Sequence, residues 1–145
     1  MKKFRYQLDP LLNYRESRRD ICRQVLAQVL AADAEQLQHK NEIQQQYQAI
    51  EQEVKQMGVG GRVEIDRISA RRFHLGQLKT QIRVIDENRR LLEEKIKHCR
   101  QALVEADQDV KVLEKIKSRK LTEHTKTQIH QENLEREETW RATHR

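Results

Sequence analysis

The residue types best able to do chemistry in this 145-residue chain are two thiols, Cys22 and Cys99, and the imidazole of His98 beside the second. A zinc site needs four ligands closed into a tetrahedron, and such ligands usually come in Cys-x-x-Cys or His-x-x-x-His pairs. No such pair is present here, so no metal is expected. Two cysteines are also too few for a disulfide framework and fit a reducing compartment. They read as small hydrophobes in a helical seam, reduced, buried and unbonded. Phosphate-cradling and nucleophile signatures are missing too: there is no GxxxxGK[ST], GxGxxG or GxSxG, and the cluster Gly58-Val59-Gly60-Gly61 follows no strand pattern. No cofactor, no small-molecule substrate and no catalytic residue is expected.

The remaining reactive surface is cationic. Lys and Arg outnumber Asp and Glu by 29 to 23, for a net charge of +6. The excess is uneven. Met1 to Arg23 holds seven basic and three acidic residues, whereas Gln24 to Gly61 holds two basic and five acidic. Lys2, Lys3, Arg5, Arg15, Arg18 and Arg19 crowd the N-terminal end, and Lys115, Lys117, Arg119 and Lys120 form a second cluster. Phosphates could bind such groups, but acidic residues are interleaved and no aromatic stacking platform accompanies them, so no nucleic acid is expected.

The elements that position these groups follow from composition. Charged and hydrophobic residues each make up 36% of the chain and aromatics 4%, a mixture typical of long helices and coiled coils. Mean hydropathy is −1.00, no run of about 18 apolar residues occurs, and the opening MKKFRYQLDP has no apolar leader, so a soluble, unexported, cytoplasmic chain is expected. Asp9-Pro10 is a good helix start, with a capping carboxylate and a proline whose missing donor costs nothing at the first position. The glycine cluster interrupts it. The spacing predicts an N-terminal lead-in over 1–9, a first long helix over 10–57, a glycine-rich turn over 58–65, a second long helix over 66–140 and a frayed end over 141–145. At 1.5 Å per residue the helices would be roughly 70 and 110 Å long.

Steps of three and four residues define a seam. In the second helix they select Leu75, Leu78, Ile82, Ile85, Arg89, Leu92, Ile96, Cys99, Leu103, Ala106, Val110, Leu113 and Lys117, eleven of thirteen apolar. The first helix offers Leu12, Arg15, Arg19, Cys22, Leu26, Val29, Asp33, Gln36, Lys40, Ile43, Tyr47, Ile50, Val54 and Met57, nine of fourteen apolar. A sustained 3,4 stripe implies a facing helix. The short turn makes an antiparallel, intramolecular hairpin the least costly pairing. The fold class is therefore all-α, one domain, with the second helix overhanging the first. Residues whose numbers sum to about 118 to 125 should lie side by side. That brings both basic clusters to one tip, Cys22 within a layer of Cys99, and Asp33 within a layer of Arg89, a polar pair suited to fixing register. Gln36 and Lys40 should weaken the seam, and residues after about Lys117 should have little first-helix partner.

Phe4-Arg5-Tyr6-Gln7-Leu8-Asp9-Pro10-Leu11-Leu12, followed by Arg15-Glu16, resembles the opening of FliJ proteins, the coiled-coil component of the flagellar type III export apparatus. Leu113-Glu114-Lys115-Ile116-Lys117-Ser118-Arg119-Lys120 resembles that family's Leu-Glu-Lys-Leu stretch with trailing basic residues. The related stalk proteins of injectisomes share this build, and the family is similar to the gamma subunit of rotary ATPases. The resemblance implies a non-enzymatic stalk in the centre of a hexameric export ATPase that also contacts the cytoplasmic domain of the export gate membrane protein. It further implies handling of export chaperones and a place at the inner face of the cell membrane, at the flagellar base. By similarity, the ATPase-facing end is the basic tip and the gate contact is Tyr47, Phe73, Leu75 and Leu78. Two other classes remain open, a self-associating scaffold or holdase and a nucleic-acid-binding coiled coil.

Overall fold

The computed structural model describes residues 2–59 and 65–144. Two helices account for nearly all of them: α1, Asp9–Val59, and α2, Ile65–Thr143, with no strand among the described residues. They pack antiparallel against each other. Uninterrupted helix formers explain the lengths, since α1 meets no glycine before Gly58 and α2 only Gly76. Helix α1 continues through Gly58 to Val59, and the rest of the expected glycine turn, residues 60–64, lies outside the described residues.

The chain divides into two compact units, one made of residues 1–23 and 102–145 and the other of residues 24–101. In the first, Leu12 packs with Val110 and Leu113. In the second, Ile43, Leu78 and Ile85 form the centre, with Tyr47, Ile50 and Ile82 against them. Every seam seat named from the 3,4 spacing is buried or half-buried, on both helices. Few are fully enclosed, because a helix with one partner can cover only one narrow stripe. Cys22 and Cys99 show this directly: both are free thiols, and both are half-buried rather than buried.

Within the second unit the cross-helix ion pairs fall on the expected register or one residue beyond it. Asp33 meets Arg89, Lys40 meets Asp86 at 2.6 Å, and Glu53 meets Arg71 at 3.3 Å. Lys40, a polar seam seat, reaches with its ammonium over the seam edge to the Asp86 carboxylate.

From Ile129 onward every described residue of α2 is exposed, including Ile129, Leu134 and Trp140. Local bonds take the place of packing there. Thr127, Thr139 and Thr143 each donate to the carbonyl four residues earlier, which occupies hydroxyls that would otherwise compete with the helix. Spin labels at Arg18 and Val104, both in the first unit, should report a separation within about 20 Å, given interhelical spacings of roughly 8–10 Å plus label arms. A broad distribution extending far beyond that distance would contradict the packing of this unit.

Candidate docking surfaces

The N-terminal lead-in, residues 2–8, is not helical, yet it is the best anchored part of the basic end. Tyr6 is 4% exposed, and its hydroxyl donates to the Leu113 carbonyl at 3.2 Å. Upstream, the Lys2 carbonyl accepts from Gln128 Nε2 at 2.8 Å and lies 3.2 Å from His124 Nε2, while the Phe4 ring sits 5.5 Å from the His124 ring. Residues of α2 past Lys117 therefore do have a partner, supplied by the lead-in and not by a helix. Spacing arguments miss it because a non-helical strap has no 3.6 residue period; the signal available was two aromatics shortly before a helix start.

The ten cations of the basic end all lie in this unit, and the structure sorts them into two kinds. Lys117 Nζ bonds Asp9 Oδ1 at 2.9 Å and sits 5.9 Å from the centre of the Tyr6 ring. Arg15 donates to the Asp109 carbonyl at 3.1 Å, and Arg19 pairs with its neighbour Asp20 at 3.4 Å. Lys117 and Arg15 thereby tie α1 to α2 at this end, and Arg19 is engaged within α1. Lys3, Arg5, Arg18, Lys115, Arg119 and Lys120 are exposed and have no ion-pair partner among the described residues; Lys2 is exposed too, with its carbonyl engaged as above. A second set of charges is self-neutralised: Arg23 lies 3.7 Å from Asp20, and Lys111 lies 3.0 Å from Asp107. The Lys111 hydrogen bond, helped by the fields of Lys111, Arg19 and Arg23, holds the Asp107 carboxyl below its usual range.

In the second unit, the four residues assigned to the gate contact separate. Leu78 is 3% exposed and belongs to the core, so its side chain is not offered to a partner. Tyr47 and Leu75 are half-buried seam seats, with Lys79 Nζ 5.8 Å from the Tyr47 ring centre. Phe73 stands 70% exposed. It borders an open groove with Gly76, Gln77 and Thr80. Gly76 has nothing within 4 Å of where a Cβ would stand, so no crowding within the hairpin accounts for a glycine there.

Asp33 and Arg89 meet directly through two bonds, Nε to Oδ1 at 3.0 Å and Nη2 to Oδ2 at 3.4 Å. The hydrogen bond to Asp33 raises the guanidinium of Arg89 above its usual value, so the arginine stays charged at any physiological pH. No group of three or more His, Cys, Asp and Glu that could hold a metal occurs among the described residues, and none of their helices is long and apolar enough to cross a membrane.

Residues 4–139 match the model of a protein family described as the flagellar FliJ protein. The chain belongs to the FliJ family. It is therefore a component of the flagellar export apparatus, and membership implies a cytoplasmic one. No curated protein and no solved structure gives a significant match. The matched span begins at Phe4, so the lead-in that carries Phe4 and Tyr6 is part of the family pattern and not an appendage to it.

Charge exchange tests the Asp33 and Arg89 pair. Asp33→Arg alone sets two guanidinium groups against each other and should lower the melting temperature by roughly 5 °C. Adding Arg89→Asp should restore most of it, as read by circular dichroism melts; no recovery would show that the pair does not fix the register.

Proposed function

We propose that this FliJ-family protein is a non-enzymatic central stalk and adaptor, binding the hexameric export ATPase by its basic end and the export gate by the face around Phe73. The observation that carries the reading is the set of exposed cations left without an ion-pair partner beside a strap that fixes the backbone beneath them. Exposed cations without an ion-pair partner also occur elsewhere, Arg83, Lys95, Lys97 and Arg100 among them; at the basic end they gather around the anchored lead-in. A cationic end held rigid and unneutralised favours an acidic protein surface, and its attraction is felt within about 8 Å at physiological ionic strength. The protein would then sit peripherally at the inner face of the membrane, at the flagellar base, where export chaperones would also meet it.

The gate contact rests on Phe73 and Gly76. A mid-helix glycine costs about 0.5–1 kcal/mol relative to alanine. With open space where its side chain would be, the benefit is a flat patch beside an exposed aromatic, which suits close approach by another protein. Tyr47, Leu75 and Leu78 lie in the seam, on the side of α2 away from that patch, and support it by holding the helices together.

Reversal of Lys3, Arg5, Arg18, Arg119 and Lys120 to Glu should weaken ATPase binding at least about tenfold at 0.15 M salt while leaving helicity unchanged. Lys117 is left intact because a carboxylate there would oppose Asp9. A folded variant that binds and stimulates the ATPase normally would overturn the reading. Separately, Gly76→Ala should raise helix stability by about 0.5–1 kcal/mol yet weaken gate binding, with ATPase binding unaffected. Unimpaired gate binding by both Gly76→Ala and Phe73→Ala would remove this face from the account.

A further inference from the structure

The basic end has two unlike flanks. In an antiparallel helix pair, residues one position before the seam seats of both helices fall on one side, and residues one position after them fall on the other. Asp107 and Arg23 illustrate the second side: each follows a seat, and the carboxylate feels the guanidinium across the hairpin. On that side the charges are paired, as with Asp20 and Arg23, or Asp107 and Lys111.

The other side is apolar and uncovered. Leu11, Tyr14 and Ile21 precede the seats Leu12, Arg15 and Cys22, and are 38%, 63% and 59% exposed. With Arg18 they keep steps of three, four and three, a second heptad stripe beside the first. Across from them on α2, Val112 is 54% exposed and Ile116 is half-buried, each one position before a seat. Arg119 and Lys120, three and four residues after Ile116, border this patch on one edge, and Arg18 borders it on the other. Glu105 and Asp109 share the flank, and the register sets Asp109 beside Tyr14 and Glu105 opposite Arg18, so the stretch clear of carboxylates is Leu11, Val112 and Ile116, with Arg119 and Lys120 at its rim.

We propose that the export ATPase engages one flank only, laying an amphipathic helix along Leu11, Tyr14, Val112 and Ile116, with carboxylates on that helix meeting Arg119 and Lys120. This deepens, and rests on, the reading that the basic end is the ATPase-docking end. The heptad spacing selects a helix, because only another helix laid lengthwise matches steps of three and four over this distance. The unpaired rim selects an acidic one. A second copy of this chain fits less well, since a self-complementary interface would bring Arg119 and Lys120 to the contact twice. On this account the apolar stripe supplies affinity, whereas the cations set orientation and association rate.

Two valines of nearly equal exposure on opposite flanks provide the test. Val112 is 54% exposed and precedes a seat; Val104 is 51% exposed and follows one. Using the full chain and the purified ATPase, Val112→Ser and Tyr14→Ala should each weaken binding by about tenfold or more, and the loss should persist at high salt. Val104→Ser should change affinity by less than roughly twofold, at matched helicity. Equal effects of the two serine substitutions, or an unchanged affinity for Tyr14→Ala, would overturn the one-sided contact even if charge reversal still abolishes binding. If charge reversal itself has no effect, the docking end is wrong and not merely its flank. Loss of a homodimer upon Tyr14→Ala, with ATPase affinity intact, would assign the stripe to self-association and also overturn the proposal.

Discussion

A helix that has one neighbour can hide one stripe, and everything else in this chain follows from that limit. Nine described hydrophobic residues are buried, and Val110 is the most enclosed of them at 1% exposure. With so thin an apolar core, polar contacts along its edges take a share of the work that a globular protein leaves to packing. Asp33 with Arg89, Lys40 with Asp86 and Lys117 with Asp9 all cross between helices, and all remain partly wet. Partly exposed ion pairs of this kind add little to stability. Their value lies in register: a stripe repeating every three and four residues can slip by a heptad with little apolar loss, and a misplaced ion pair penalises the slip.

The same limit explains what the amino-acid sequence reveals and what it hides. Seam seats announce themselves because burial imposes a period, and from Leu12 to Met57 and from Leu75 to Lys117 every seat so identified is at least half-buried. Cross-helix pairing follows from numbering about the glycine cluster. The strap is different. Tyr6 reaches Leu113 from a non-helical segment, where no helical period exists to be read, and its hydroxyl donates to a backbone carbonyl of α2. Nor does residue type separate the cations. Lys117 and Lys120 look alike in a basic run, yet one is bonded to Asp9 and the other is exposed and unpaired. Leu78 and Phe73 divide in the same way, one a core residue and one an exposed ring, although both are large apolar residues in one short stretch.

Those distinctions change how the basic end is understood. Charge counting suggests ten equivalent groups. Geometry leaves a smaller set facing outward, placed on a backbone that the Tyr6 and Lys2 contacts hold in position. Preorganised, unneutralised charge is what an association surface requires, since little side-chain and backbone freedom remains to be lost on binding. The exposed apolar residues beside those cations then have a physical reason to be there, because charge alone steers encounters but holds complexes weakly under physiological salt.

Site-specific photo-cross-linking in the assembled export complex tests the central claim most directly. With a photoreactive residue at Arg5 or Lys115, in the basic end, the account predicts covalent capture of the export ATPase. From Gln56, in the last turns of α1, it predicts none. Capture from Gln56 with none from Arg5 or Lys115 would show that the chain meets the ATPase at its glycine-rich end and would contradict the account.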